Sequence, residues 1–233
     1  MKKKITLNKE HIQQLYKFTR QHYVEHFDVQ TELVDHLAND IEQIWQEQPK
    51  LSFEQARDIS FKKFGVFGFM DVVEARTNSL NKKYWKLAFG FFKTFFKLPQ
   101  LLTTLAIFSV IYTSFLIVPK HIWIYWFIGF GTVIVLGIRL FQLHKLKKER
   151  FKQSNKKWLL EEYILNAGNI GVLVYFILQI PLNLETQFES TIPIFLISFF
   201  FTSYVVLTYI IAFVLPSKMD ELLEKQYPEY KLV

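Results

Sequence analysis

Four apolar runs dominate the second half of the chain: residues 99–118 (PQLLTTLAIFSVIYTSFLIV), 122–143 (IWIYWFIGFGTVIVLGIRLFQL), 164–182 (ILNAGNIGVLVYFILQIPL) and 192–215 (IPIFLISFFFTSYVVLTYIIAFVL). Each comes close to or exceeds the roughly 20 residues that a helix needs to cross a bilayer. A buried helix of a soluble core seldom runs so far without a charge on an exposed face. Residues 119–121 alone separate the first run from the second, so these two pair as a tight antiparallel hairpin, and the third and fourth pair likewise. The pattern predicts an all-α fold, a small cytosolic helical domain followed by an antiparallel four-helix transmembrane bundle. Gly129, Gly131 and Gly137 in the second run, with Gly168 and Gly171 in the third, permit close helix approach.

Ahead of these runs the apolar period changes to that of amphipathic helices. One helix is expected from about Asn8 to His26, with Ile12, Leu15, Tyr16, Thr19, Tyr23 and Phe27 along one face. A second, about Val29 to Glu47, turns Leu33, Val34, Leu37, Ile41, Ile44 and Trp45 inward. Ser52 and Gln55 form a capping box for a third helix, and Gly65 suits the left-handed position that ends it. A fourth helix, about Gly68 to Lys82, leads toward the membrane. The next stretch, 81–97 (NKKYWKLAFGFFKTFFK), interleaves Lys82, Lys83, Lys86, Lys93 and Lys97 with aromatic residues and has no acid. Such a stretch suits a helix lying in the interface against anionic lipid. The expected division is therefore a cytosolic helical domain at 1–80, an interfacial segment at 81–97, four transmembrane helices at 98–216 and a cytosolic tail at 217–233.

Charge changes the picture in one respect. The formal net charge is +7, yet residues 1–80 hold 11 Lys/Arg against 12 Asp/Glu. The excess sits in 81–97 and in 145–157, where seven Lys/Arg face one Glu. Both places adjoin apolar runs, so the charge reports membrane topology and no direct contact with nucleic acid is expected. The basic loop between the second and third runs belongs inside, while the loops PKH (119–121) and NLETQFES (183–190) belong outside. Both termini are then cytoplasmic, in the inner (plasma) membrane of a bacterium. The basic N-terminus is followed by no apolar stretch, so a cleavable signal peptide is not expected. The absence of Cys removes disulfides, thiol nucleophiles and Cys-ligated zinc.

Four constellations could carry chemistry. Glu32, His36 and Asp40 stand four apart on the second helix, at about 0°, 40° and 80° on a wheel whose apolar face centres near 160°. Upstream, HYVEH (22–26) spells the H-x-x-E-H pattern of some zinc proteases, with His22 and His26 as ligands and His36 or Glu32 as a third. The match falls at the end of a short helix without a cleft, and a polar seam of His–carboxylate and Lys/Arg–carboxylate pairs explains both patterns; no metal or cofactor is expected. Asn166 and Asn169 are polar groups within the third run, three apart, and read as an interhelical hydrogen bond or a ligand site. The runs carry no ionisable residue in their central parts, Arg139 lying at the cytoplasmic end of the second, which speaks against a transport path. An enzyme would have only His144, Glu161 and Glu162 near the cytoplasmic face, and these read as loop charges paired at i, i+4, such as Lys157 with Glu161.

The stretches ELVDHLANDIEQIW (32–45) and LSFEQARDISFKKFG (51–65) resemble the HAAS-type signalling domain, known in a related form as the permease prefix domain. The matching positions are Glu32, Asp35, His36, Leu37, Ser52, Glu54, Ala56, Phe64 and Gly65, within residues 29–80. Val66 departs from the pattern, standing where a small polar helix cap is usual, and no permease body follows. The overall shape is similar to small membrane proteins of Bacteroidota. The resemblance implies a non-enzymatic regulatory module paired with a PadR-type regulator or a permease. Glu32, Asp35, His36 and Asp40 are then the partner-binding candidates, membrane lipids a second partner, and self-association a further option. The alternative reading is a small transporter or channel accessory subunit. A reporter that works only in the cytoplasm, fused after Val233, is expected to be active; activity only outside the membrane contradicts the topology.

Overall fold

The computed structural model describes residues 6–118, 122–166, 175, 179, 191–227 and 230, and those residues form helices and turns with no strand. Two compact units divide the chain: Met1–Leu80 with Ser154–Leu160, and Asn81–Gln153 with Glu161–Val233.

In the first unit, α1 (Lys9–Gln21) opens on a reciprocal cap: the Asn8 side chain accepts the His11 N–H at 2.8 Å while His11 Nδ1 accepts the Asn8 N–H. The helix stops at Gln21, short of the expected His26. His22 folds its ring back, Nδ1 lying 2.8 Å from the Phe18 carbonyl oxygen. Tyr23 then takes a left-handed φ of 64°, and Val24 turns into the core. A non-glycine residue holds that conformation only where its surroundings over-determine it. The reversal starts α2 (Phe27–Glu47), whose Leu33, Leu37 and Ile41 are fully buried. α3 (Phe53–Lys62) begins with the Ser52/Gln55 capping box, and Gly65 follows at φ 79°.

The segment 154–160 belongs to this unit although it lies more than a hundred residues downstream. No side-chain cap closes the N-terminus of α2. The N–H groups of a first turn lack partners within the helix, and here the Lys157 carbonyl accepts the Phe27 N–H at 2.7 Å. Asp28 reciprocates, its Oδ1 accepting the Leu159 N–H at 3.2 Å. Between these bonds Trp158 packs edge-on against Phe27, ring centres 5.3 Å apart, and is 1% exposed.

α4 (Met70–Thr94) is one helix that runs on through the expected end near Lys82 into the 81–97 segment. Nothing between Met70 and Phe89 breaks it, and Gly90 costs only about 1 kcal/mol relative to alanine.

In the second unit, α5 (Gln100–Ile117), α6 (Ile122–Ser154) and α8 (Thr191–Tyr209) are the main helices. α8 continues through a π-helical stretch, Ile210–Val214, and a last turn, Leu215–Ser217. These three are long and apolar enough to cross a membrane. Ile111 and Phe115 of α5, Ile124 and Tyr125 of α6, and Ile194, Phe201 and Tyr204 of α8 form their shared core. Large apolar residues such as Val110, Phe127, Ile134 and Phe141 remain exposed, a surface suited to hydrocarbon rather than water. Hydroxyls bond back to carbonyls one turn earlier, Ser114 to Val110, Thr132 to Ile128, Ser198 to Ile194 and Thr202 to Ser198, which satisfies them without water. Gly129 is buried in α6, whereas Gly131 and Gly137 have nothing within 4 Å of where a Cβ would stand, so among the described residues they mediate no close approach. Of the third apolar run only residues 164–166, 175 and 179 are described; Gly168, Gly171, Asn169 and the loops 119–121 and 183–190 lie outside the described residues. Two short helices complete the unit, α7 (Leu159–Leu165), which starts in the first unit, and α9 (Met219–Gln226).

Truncating Leu37 to Ala is expected to cost about 2 to 5 kcal/mol, and Trp158→Ala about 3 to 5 kcal/mol. Amide hydrogen exchange of α2 in the full chain measures both. Unchanged protection in Trp158→Ala would mean that the 154–160 segment does not support the unit.

Candidate functional site

The first polar constellation lies on α2. Glu32 Oε2 is 3.7 Å from Arg76 Nε of α4, and Asp40 Oδ1 accepts from Lys63 Nζ at 2.6 Å, just past the end of α3. Half-exposed pairs of this kind contribute about 0 to 1 kcal/mol each. Their effect is to hold two of the four flank residues in seams within the unit. Asp35 and His36 point outward, exposed and without a hydrogen bond or ion pair among the described residues. The flank thus divides into a held pair and a presented pair.

The H-x-x-E-H residues do not share a helix face, because α1 ends before them. The His22 ring packs against Phe18, Phe61 and Phe69, with centres 4.2, 4.5 and 5.7 Å apart. His26 occupies the position preceding α2, and Glu25 pairs with Lys157 at 2.5 Å. Among the described residues no group of three His, Asp or Glu is placed to hold a metal ion.

The second constellation joins α6, α7 and α9. Arg150 donates from Nη1 and Nη2 to the two carboxylate oxygens of Asp220, at 2.7 and 3.0 Å, a bidentate pairing with fixed geometry. Nη1 also donates to the Tyr230 hydroxyl at 3.0 Å, and that hydroxyl donates to Asp220 Oδ1 at 3.1 Å. Glu161 is buried beside them, its Oε1 3.8 Å from Arg150 Nε. Lys147 pairs with Glu162 at 2.9 Å and reaches the Asn166 amide oxygen at 3.5 Å. The expected pairing of Lys157 with Glu161 is replaced: Lys157 goes to Glu25 and Glu161 faces Arg150, because the chain turns out of α6 at Asn155 with φ 52°. His144 is exposed and shares no bond with Glu161 or Glu162. Asn166 sits in the turn after α7, at the charged end rather than within an apolar core. The hydrogen bond from Arg150 holds the Asp220 carboxyl below the usual aspartate range. Burial pushes the Glu161 carboxyl up, partly offset by Arg150. Burial also pushes the Tyr230 hydroxyl up to about 12. Asp220 and Tyr230 fall within the cytosolic tail expected at 217–233. The only local signal was the acidic first turn of MDELLEKQ.

On α4 and just beyond it, Lys82, Lys83, Lys86, Lys93 and Lys97 are all exposed, while Tyr84 and Ala88 are buried. Lys83 donates to the side-chain oxygen of Gln226 in α9. The lysines therefore share a solvent- or headgroup-facing surface, and the aromatic row Trp85, Phe89, Phe92 and Phe96 packs edge to edge beside them. No family model, curated protein or solved structure matches the chain.

The two carboxylates predict opposite pH responses. Asp220 is depressed, so its contribution is present above the ordinary aspartate pKa and is lost as pH falls through the folded value. Glu161 is raised, so its contribution is present below the ordinary glutamate pKa and is lost as pH rises through the folded value. Thermal melts of the full chain should therefore show Asp220→Asn less stable than wild type at neutral pH. Glu161→Gln should be equal to or more stable than wild type at neutral pH, a difference that disappears as pH falls to the ordinary glutamate range, whereas the Asp220→Asn difference should shrink only as pH falls through and below the ordinary aspartate range. A Glu161→Gln variant that melts lower at neutral pH would show that its charge supports the network.

Proposed function

We propose that the chain is a membrane-anchored, non-enzymatic regulatory protein of the bacterial inner membrane, whose N-terminal helical unit binds a protein partner on the cytoplasmic side. The observation that carries this reading is the division of the α2 flank. Glu32 and Asp40 are held by Arg76 and Lys63, while Asp35 and His36 are presented outward from a helix whose opposite face is fully buried. A rigid helix offering an unpaired acid beside an imidazole is a geometry for a basic or polar partner surface. The second support is the 154–160 segment. It ties the unit to the stretch between α6 and α7, so a partner that changes the packing of α2 also pulls on the chain joining two apolar elements. The resemblance of residues 29–80 to the HAAS-type module agrees with this role and makes a PadR-type regulator or a permease the partner class. The four-span antiparallel arrangement with both termini cytoplasmic completes the reading.

One observation favours a transporter or channel accessory subunit instead. Arg139 Nε donates to the Ala212 carbonyl at 3.0 Å, within the π-helical stretch that follows α8. Such bulges free carbonyls and recur at functional sites.

A photo-crosslinker placed at Asp35 or His36 in living cells is expected to trap one discrete soluble protein, and the Asp35→Lys substitution to abolish the product. A crosslinked permease would support the accessory-subunit reading, and a crosslink to a second copy of the chain would point to self-association. If a crosslinker at Gln13 traps the same species as one at Asp35, the flank is not the docking surface.

A further inference from the structure

Val66 and Phe67 stand at the tip of the turn between α3 and α4, 97% and 72% exposed, with Met70 half-exposed beside them. The turn is built to hold them there. Gly65 and Gly68, at φ 79° and 56°, bracket the pair. The Gly68 N–H donates to the Gly65 carbonyl at 3.3 Å, and the Gly65 N–H to the Lys62 carbonyl at 3.2 Å. A Cβ at Gly68 would stand 3.0 Å from Cζ of Phe61, a tight contact at a left-handed φ, so glycine is favoured where the turn meets its base. That base is a ring cluster of Phe18, Phe61, Phe64 and Phe69. His22 packs on the same rings, which brings the α1–α2 turn onto the cluster as well, and that turn presents Tyr23 with 84% exposure at its own left-handed φ. Two turns with left-handed residues on one base therefore present large apolar or amphipathic side chains where turns ordinarily carry polar ones.

Two observations say what covers them. Lys63 is taken by Asp40, and Asp58 and Asp71 flank the turn, but Lys62 is exposed without an ion pair among the described residues and offers its ammonium to an anionic surface. The chain carries three helices apolar enough to cross a membrane, so a bilayer is held at high local concentration.

We propose that the Gly65–Gly68 turn is a membrane-insertion tip: Val66 and Phe67 enter the acyl boundary of an anionic leaflet, Lys62 meets the headgroups and Tyr23 lies at the interface. This goes beyond the partner-binding reading and does not depend on it, since Asp35 and His36 take no part.

The chain has no native Cys, so single-cysteine labelling is clean. Full-length Val66→Cys and Phe67→Cys variants carry an environment-sensitive nitrobenzoxadiazole label in nanodiscs of phosphatidylglycerol and phosphatidylcholine. Gln48→Cys, in the exposed α2–α3 connection, is the control. The expected result is blue-shifted emission at 66 and 67 and quenching by doxyl-labelled lipid at least twofold stronger than at 48. Adding Lys62→Glu should weaken that quenching, as should replacing phosphatidylglycerol by phosphatidylcholine. Emission as red as the control overturns the proposal by showing the tip in water. Blue-shifted emission without lipid quenching overturns it by showing that protein covers the tip. Circular dichroism of each labelled variant confirms that the helices remain.

Discussion

The grip of α2 on the 157–159 segment is the interaction on which the N-terminal unit depends. A helix that starts without a side-chain cap leaves donors exposed, and here one of them, the Phe27 N–H, is met by a carbonyl from far along the chain. The return bond from Leu159 to Asp28 makes the contact reciprocal, and Trp158 fills the space between. Closing so long a loop is costly in chain entropy. The segment is correspondingly anchored by backbone bonds, a buried indole, the Lys157–Glu25 pair and Lys156 stacked 4.1 Å over the Phe27 ring. Helices α1 to α3 supply local packing, and this segment closes it.

The consequence is mechanical. Residues 154–160 run from the last residue of α6 into the first turn of α7, so the connection between these helices is also a structural part of the helical unit. Within the second unit the Arg150 network plays a comparable part, tying α6 to α7 and to the C-terminal helix through Asp220 and Tyr230. Its cost is the buried Glu161, whose oxygen lies near Arg150 without a hydrogen bond. Polar groups on α2 then sort by the same logic: those near a cation on a neighbouring helix are held, and those beyond reach remain available.

Apolar surface tells the two units apart. On α5 and α6 exposed Phe, Ile and Val residues are continuous with helices that suit hydrocarbon. In the N-terminal unit the exposed apolar residues are few and concentrated at two turns with left-handed residues. A turn closed by glycines on a packed ring cluster leaves its own tip exposed.

The sequence by itself determined the helices and their caps: the Ser52/Gln55 box, the left-handed Gly65, the apolar face of α2 and the starts of α5 and α6 all follow from local chemistry. Local rules also made the membrane-crossing character of three runs legible, because length and the absence of charge decide it. What only the tertiary structure decided are the things set by distant partners. α1 ends at Gln21 because His22 packs on rings from α3 and beyond, which dissolves the H-x-x-E-H register. The division of the α2 flank depends on where Lys63 and Arg76 arrive. Glu161, Asp220 and Tyr230 met at Arg150, and Trp158 entered a unit formed by residues far upstream. Periodicity reports which face of a helix is apolar; it carries no record of which distant segment will satisfy an uncapped end or an isolated charge, and those long-range pairings built both candidate sites.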